Sequence, residues 1–372
     1  MKNMKKLIAM MLMVLSVFFF ACDDDEVEPL SPEKAKTELN SMDEEMAADL
    51  EAMMNAEGMK AIQALNSMDD PFATAKSSLR TSVLPNIEEY LIPFIKTNKA
   101  KSAFEATEFD FDLHVGTYTY VHTPEPHWVI ITGGDKIIVN FPSDSTDMGN
   151  NDATLTIYNY QEDVNYNPTI ISAELEVDDV TIVEITLNAS WTSESDPETL
   201  DISVYLKPFT FNGDLAITTT SAEVNFSILL NTTKIFSAGV DATFTDATQE
   251  VLKKVSGYVQ YRDVKVSASV NVSNIMTILE QVENETSPYT TIEELVDAVN
   301  DEIDAKVTKD GALIAKIELD LVYNDDVPPV QELTVVLKFS DGTTEPAQPY
   351  FEGFISSIDE FFTYLDDYFE MK

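Results

Sequence analysis

The three histidines of the chain, His114, His122 and His127, fall within a stretch of 14 residues. His122 and His127 flank the sequence Thr-Pro-Glu-Pro, which we expect at a hairpin tip, so the two imidazoles can face each other beside Glu125. Two imidazoles and a carboxylate in this arrangement can bind a metal ion. The alternative is a proline-stiffened loop with exposed histidines, which we favour because the pattern matches no established metal motif. His114 lies about 26 Å away along an extended strand and cannot join the pair.

A second polar cluster lies in one loop: Asp144, Asp147, Asn150, Asn151 and Asp152. Such oxygen ligands bind calcium, but their spacing departs from the EF-hand pattern, and a solvated loop is the favoured interpretation. The sequence has no G-x-S-x-G motif and no glycine-rich phosphate loop. Among 66 acidic residues a glycosidase-like pair stays open, but no pair stands out. We therefore expect a non-enzymatic protein without a cofactor.

The composition limits the partners of the chain. Its formal net charge is −43, and removing the first 21 residues, which carry three lysines and no acids, takes the charge to −46. A surface of this sign repels nucleic acids, so we expect no nucleic-acid partner. The single cysteine excludes an intrachain disulfide and a zinc site built from cysteines.

The N-terminal segment has the features of an export signal. Three lysines occur among its first six residues, and residues 7–20 form a run of 14 residues that are apolar except for one serine. The run is too short to span a bilayer, which needs about 20 residues, but it suits the apolar core of a signal peptide. Ala21 and Cys22 follow the run directly.

This pattern resembles the lipobox of bacterial lipoproteins, in which a small residue precedes an acylated cysteine. The resemblance implies that residues 1–21 are a removed signal peptide, that Cys22 carries lipid, and that residues 22–32 form an acidic tether. Phe19 and Phe20 replace the usual leucine and small residue, and an ordinary secretory signal with a chance cysteine is the alternative. Two or three acyl chains hold a protein at a membrane, because each buried methylene contributes about 0.8 kcal/mol.

The residues after the cysteine, Asp23, Asp24, Asp25 and Glu26, resemble the surface-export signal of Bacteroidota lipoproteins. The resemblance implies a lipid-anchored protein on the outer face of the outer membrane. In enteric bacteria an aspartate at this place instead implies retention at the inner membrane, but the run of four acids favours the first interpretation. Asp144-Ser145-Thr146 also resembles the O-glycan acceptor of exported proteins of that phylum, which makes Ser145 a predicted glycosylation site.

Apolar periodicity predicts the elements of the mature chain. A one-faced stripe over residues 39–53 predicts helix, and we interpret residues 33–100 as a helical hairpin. Alternation with period two predicts an antiparallel sheet over residues 108–272 with one buried face. Its turn signals are Gly133-Gly134, Asp178-Asp179 and Asn212-Gly213.

Further elements follow this sheet. Helices are predicted over residues 273–305, where Thr291 and Glu294 form a capping box and Ile303 ends an apolar stripe. Strands are predicted over 312–340, and an aromatic amphipathic helix over 353–370. The economical fold is a single α+β domain over 33–372: a large curved antiparallel β-meander packed against N-terminal, interrupting and C-terminal helices.

Two features of the sheet bear on binding. Its expected inner face mixes large residues with small ones, the small ones being Ala238, Ala242 and Ala268; helices that fill the space are the default, and a dry cavity for a lipid-like molecule is the alternative. Trp191 shares the apolar register of its strand and is expected in the core. Tyr158 and Tyr160 are expected as an exposed pair on the opposite face from their apolar neighbours.

Three functions remain open. The first is a carrier or receptor that holds an apolar or amphiphilic ligand between sheet and helices; this architecture is similar to that of periplasmic lipoprotein carriers, although no motif supports the similarity. The second is a surface adhesin or accessory protein that binds glycan or protein. The third, a hydrolase, requires a cleft of convergent carboxylates.

Overall fold

The computed structural model describes residues 28–66, 68, 111–144, 146–192, 196–249, 251–284, 286–323, 331–353, 355 and 356. This part of the chain is mostly antiparallel β-sheet, with sixteen strands and a few helices, which confirms the sheet-dominated prediction. No described helix is both long and apolar enough to cross a membrane. The predicted hairpin beyond residue 68 and the C-terminal helix beyond residue 356 lie outside the described residues.

The chain divides into two compact units. Unit 1 comprises residues up to 47, 218–223 and 236–357, and unit 2 comprises residues 48–217, 224–235 and those from 358 on. The single domain expected from the sequence stays a prediction.

Unit 2 contains eight complete strands. In space they follow the order β8-β7-β6-β5-β4-β3-β1-β2, antiparallel except that β1 runs parallel to β3. The strands are β1 (Gly116–Val121), β2 (His127–Thr132), β3 (Ile137–Phe141), β4 (Ala153–Glu162), β5 (Pro168–Val177), β6 (Val180–Trp191), β7 (Pro197–Leu206) and β8 (Phe209–Ile217). Two further strands, β9 (Ser221–Leu230) and β10 (Thr233–Phe244), have residues in both units.

Alternation buries one face of the unit 2 sheet. Cross-strand partners such as Val139 and Leu155, or Ile185 and Val204, are both buried, which confirms the predicted period of two. Helix α1 (Pro32–Met54) is followed by α2 (Glu57–Asn66), and Gly58 in α2 lies directly against the backbone of Ile182 in β6. A short helix, α3 (Phe111–His114), precedes β1.

The turn predictions have mixed outcomes. Asp178 and Asp179 form the β5–β6 turn, both with positive φ, and Gly133 and Gly134 lie between β2 and β3, also with positive φ. Asn212-Gly213 was expected to form a turn, and this prediction is wrong because both residues lie inside β8. There the side chain of Asn212 accepts a hydrogen bond from the hydroxyl of Ser203 on β7 at 2.8 Å, so the pair stabilises a strand instead.

Unit 1 contains the remaining strands, two helices between β12 and β13, and residues 32–47 of α1. The strands follow the order β10-β11-β12-β13-β14-β15-β16, all antiparallel. Their bounds are β11 (Leu252–Tyr261), β12 (Val264–Val270), β13 (Ile303–Lys309), β14 (Ala312–Tyr323), β15 (Gln331–Phe339) and β16 (Thr344–Pro346); the helices between β12 and β13 are α4 (Val272–Glu283) and α5 (Ile292–Asn300).

The helices α4 and α5 pack on one face of the unit 1 sheet. Their stripes, including Leu279 and Leu295, form a buried cluster with Leu319 and Leu333 of the strands. Thr291 and Glu294 form the capping box that the sequence predicts. Ile303, however, is not helical: α5 ends at Asn300, a turn follows, and Ile303 begins β13.

The first half of α1 is held in unit 1 by ion pairs at strand ends. Lys36 contacts Glu345 at 2.6 Å, and Glu38 pairs with Lys309. The whole predicted stripe of α1 is buried: Leu39, Met42, Met46, Leu50 and Met53. These methionines therefore pack into the core, as their spacing indicates.

The inner face predicted for β10 is wrong. Ile235, Ser237 and Gly239 are buried, whereas Phe236 and Ala238 on the expected inner face retain partial exposure. The buried row is itself apolar or small, so either face of this strand can be covered and its sequence does not fix which one is. Ala268 is buried as predicted.

Candidate functional site

The predicted metal-binding residues lie in and beside the β1–β2 hairpin. His122 and Glu125 belong to the connecting loop, His127 begins β2, and all three are exposed. Nδ1 of His127 lies 2.8 Å from the carbonyl oxygen of Glu125 and is hydrogen-bonded to it. Among the described residues no group of three or more His, Cys, Asp or Glu side chains is arranged to hold a metal ion, so the structure does not bring these three together. His114 is buried at the end of α3.

The acidic loop after β3 uses its side chains to hold its own backbone. Asp144 accepts hydrogen bonds from the amide and hydroxyl of Thr146, both at 2.7 Å, and these bonds lower the pKa of its carboxyl. Asp152 accepts from the amide and hydroxyl of Ser143 at 2.8 Å. Carboxylates engaged in this way organise turns.

The remaining sequence-predicted sites fall elsewhere. Cys22, the export residues 23–26 and Ser145 lie outside the described residues. Their lipidation, sorting and glycosylation stay predictions.

Of the two tyrosines expected to be exposed, only Tyr158 is. A register shift in β4 between Ile157 and Asn159 places Tyr160 opposite Ile171, on the buried face, while Tyr158 is exposed. The ring of Tyr160 stacks on Phe111 with ring centroids 6.0 Å apart. A β-bulge of this kind reverses the alternation after it, which explains why the period-two prediction fails at Tyr160.

A pocket of about 520 Å³ opens on unit 2, across β5, β6, β7 and β8. Ala189, Leu200 and Leu215 lie in register on adjacent strands and form its apolar part. They share a face with Leu187 and Ile202, which are fully buried two residues further along their strands. The pocket is therefore the open end of the apolar face of this sheet.

Polar groups border the same pocket. Its lining also includes Thr169, Ile170, Asn188, Thr199 and Asp201. The hydroxyl of Thr199 is hydrogen-bonded to that of Ser190 at 2.7 Å. Apolar floor and polar edge together suit a molecule with a hydrocarbon part and a neutral or hydroxylated head.

Trp191 comes two residues after the pocket residue Ala189 in β6, and its partner Pro168 directly precedes the pocket residue Thr169. Its indole N–H donates to the carbonyl oxygen of Pro168 at 2.9 Å, which fixes the side chain across the ends of β5 and β6. The ring is partly exposed, so the expected core position of Trp191 is only half correct. A register shift between Ser190 and Trp191 moves it out of the alternating row.

Sequence reasoning missed this pocket. It considered a cavity only beside Ala238, Ala242 and Ala268, as the alternative to a filled core, and it treated Ala189 as one more inward residue of β6. The pocket depends on the register of four strands, and the sequence of a single strand does not reveal that register. The nearest sequence signal is Ala189 itself, a small residue among larger inward neighbours.

Comparison with known proteins identifies no family. The chain matches no protein-family model and no curated protein. Among solved structures it is similar to a porin-like protein from Bacteroides vulgatus ATCC 8482, with 9% sequence identity and a TM-score of 0.17, over 62% of this chain and 95% of that one. A TM-score this low supports no conclusion about fold or function, so the family of the chain is not identified.

Proposed function

We propose that the chain is an outer-membrane lipoprotein, anchored through acylated Cys22 and exposed at the cell surface, which binds an amphiphilic molecule without chemical conversion. The observation that carries the binding role is the pocket lined by Ala189, Leu200 and Leu215. Its volume, about 520 Å³, lies in the range of small-molecule sites. The anchor rests on the sequence resemblance at residues 1–26.

Several carboxylates with a shifted pKa organise turns. Asp144, Asp246 and Asp341 have a lowered pKa, and each accepts hydrogen bonds from the threonine two residues later. Catalytic carboxylates instead commonly lie in clefts, with a pKa set by burial and by one another. These three acids thus belong to turns, whereas Glu294 caps α5 and Glu345 pairs with Lys36.

Binding of a fluorescent long-chain monoacylglycerol, whose head is neutral and hydroxylated, to the purified full chain tests this proposal. Ala189→Phe adds a ring to the pocket floor and should weaken binding at least tenfold. Ala52→Phe adds the same ring at an exposed position of α1 and should leave the affinity unchanged. Equal affinity of both variants and the parent chain, or no binding to the parent chain, would refute the pocket as the site.

The anchor is tested separately by intact mass of protein extracted from membranes. We expect a chain that begins at Cys22 and carries the added mass of acyl groups, and a Cys22→Ser variant that leaves the membrane fraction. An unmodified cysteine or a different start contradicts the anchor. Replacement of Asp23, Asp24, Asp25 and Glu26 by alanine should protect the chain from protease added to intact cells.

A second candidate, a surface protein that binds glycan, is favoured by Tyr158. Its ring is exposed, and the ammonium of Lys136 lies 6.0 Å from the ring centroid. An exposed tyrosine offers an apolar ring and a polar hydroxyl, the combination that is enriched at binding interfaces. Tyr158→Ala should abolish retention on immobilised glycans if this function holds, and unchanged retention would refute it.

A further inference from the structure

The strands that line the pocket carry charge of almost one sign. Residues 168–217, which form β5 to β8, include ten acidic residues and a single basic one, Lys207. Lys207 lies in the turn between β7 and β8 and pairs with Glu57 at 3.0 Å. It comes seven residues after the pocket residue Leu200, about 23 Å along an extended strand. The four strands, all of them described, therefore bring no cation to the pocket.

Acidic residues instead gather at the end of the sheet where the pocket opens. Asp201 lines the pocket, and its cross-strand neighbours are Asn188 on β6 and Asp214 on β8. The exposed Glu198 directly precedes the lining residue Thr199. Like charges directly opposite each other on adjacent strands are unfavourable, and no basic residue of β5 to β8 offsets the pair of Asp201 and Asp214.

The two carboxylates of this pair differ in their partners. Asp214 accepts a hydrogen bond from the side-chain amide of Asn225 at 2.9 Å. Asp201 is exposed and has no hydrogen bond or ion pair within the described part of the chain. Successive residues of a strand lie on opposite faces, so a lining that includes Thr199, Leu200 and Asp201 extends around the end of β7 to its polar face. Asp201 therefore places a negative charge at the rim of the pocket.

We propose that the pocket selects amphiphiles by the charge of the head: it accepts uncharged and cationic heads and rejects anionic ones, with Asp201 as the main determinant. The inference rests on the proposed binding function and narrows the class of ligand that the same pocket takes. Asp201 is the acidic residue of the lining, which is why it contributes most.

The physical basis is repulsion at short range. Charges at an exposed rim interact over about 8 Å at physiological ionic strength. A head whose hydrocarbon chain lies on the floor formed by Ala189, Leu200 and Leu215 is held near Asp201, which follows Leu200 directly in β7. An anionic head is repelled there. A hydroxylated head instead donates a hydrogen bond to the carboxylate, and a cationic head is attracted by it.

Displacement of the fluorescent monoacylglycerol from the purified full chain tests this selection. The competitors are monolauroylglycerol, laurate and dodecyltrimethylammonium, which have chains of the same length and differ in the charge of the head. At a pH where laurate is ionised, monolauroylglycerol should compete at least tenfold better than laurate, and dodecyltrimethylammonium at least as well as monolauroylglycerol. Added salt should narrow the gap between the first two, because it screens the repulsion.

A pair of variants tests the role of Asp201. Asp201→Asn removes the charge and nearly preserves the size of the side chain, and the ratio of the affinities for monolauroylglycerol and laurate should fall about threefold, the effect of one charge at about 7 Å in a medium close to water. A ratio cancels any general effect on the pocket. Asp135→Asn is the matched control, because it removes an exposed charge from the turn between β2 and β3, and β3 is the second strand beyond β5 in the sheet. The control should keep the ratio of the parent chain.

The outcomes separate this inference from the binding function on which it rests. Laurate that competes as well as monolauroylglycerol overturns the charge selection and leaves the binding function intact. A parent chain that binds neither the probe nor any competitor overturns both. A discrimination that salt does not change, or a ratio that is the same in Asp201→Asn and Asp135→Asn, overturns the assignment of the selection to the charge of Asp201.

Discussion

Replacing Gly58 by alanine should lower the free energy of unfolding of unit 2, although the same change stabilises most helices. In a solvent-exposed helix the substitution gains about 0.5–1 kcal/mol, because alanine loses less conformational freedom than glycine on folding. In α2 the new Cβ would lie 2.9 Å from the carbonyl oxygen of Ile182 and 3.1 Å from a methyl carbon of Val183. The oxygen belongs to the backbone of β6, so the helix must move away from the sheet.

The magnitude follows from these two opposing terms. Overpacking in a well-packed site costs about 1–3 kcal/mol. Subtracting the gain in helix propensity leaves a net loss of about 1 kcal/mol. The sign is the decisive quantity, since propensity alone predicts a gain.

Urea unfolding followed by tryptophan fluorescence measures the loss of stability of unit 2. The chain has two tryptophans, Trp128 and Trp191, and both belong to unit 2. Gly149→Ala is the control, because the nearest atom to its new Cβ is 3.8 Å away, and we expect a change within about 0.5 kcal/mol. A Gly58→Ala variant more stable than the parent chain would refute the close packing of α2 on β6.

Three further predictions concern unit 1. Leu295→Ala removes a buried side chain from the α4–α5 cluster and should lower the free energy of unfolding by about 2–5 kcal/mol. Ile292→Ala, at an exposed position of the same helix, should change it by less than about 0.5 kcal/mol. Equal losses for the two variants in urea unfolding would contradict the cluster. Thr291→Ala removes the N-cap of α5 and should cost about 1 kcal/mol, with Thr291→Ser near neutral by the same measurement. Burial and a hydrogen bond to Glu345 raise the pKa of Tyr350 to about 12, so stability should fall as pH rises from 10 toward 12, and Tyr350→Phe should flatten that fall. An identical decline in both proteins would show that Tyr350 does not titrate in this way.

Local patterns in this sequence predict local structure well. The buried stripe of α1, the Thr291 capping box and the Asp178-Asp179 turn each depend on a few neighbouring residues, and the structure contains all three. Each is a case in which side-chain spacing or a single φ preference decides the outcome.

Predictions that depend on strand pairing fare less well. Tyr160 lies on the buried face because of a bulge in β4, and Asn212-Gly213 lies within β8 because Asn212 finds a partner on β7. Bulges and cross-strand partners are properties of two strands together, so one strand's sequence does not determine them.

The candidate site also depends on strand pairing. The pocket exists because Ala189, Leu200 and Leu215 come into register at one end of the apolar face. Their residue types predict only that the three side chains point inward. The anchor at Cys22, in contrast, is a local signal that sequence alone predicts.

The central claim is that an amphiphilic ligand occupies the pocket beside Trp191, and contact quenching by a monoacylglycerol with a brominated chain tests it most directly. Bromine quenches an indole only at close range, and Trp191 is fixed next to the pocket by its bond to Pro168. The Trp128→Phe variant, which retains Trp191, should lose most of its fluorescence as the brominated monoacylglycerol binds. The Trp191→Phe variant, which retains Trp128, should lose almost none at the same occupancy. Equal quenching of the two variants, or none in either, would contradict the claim.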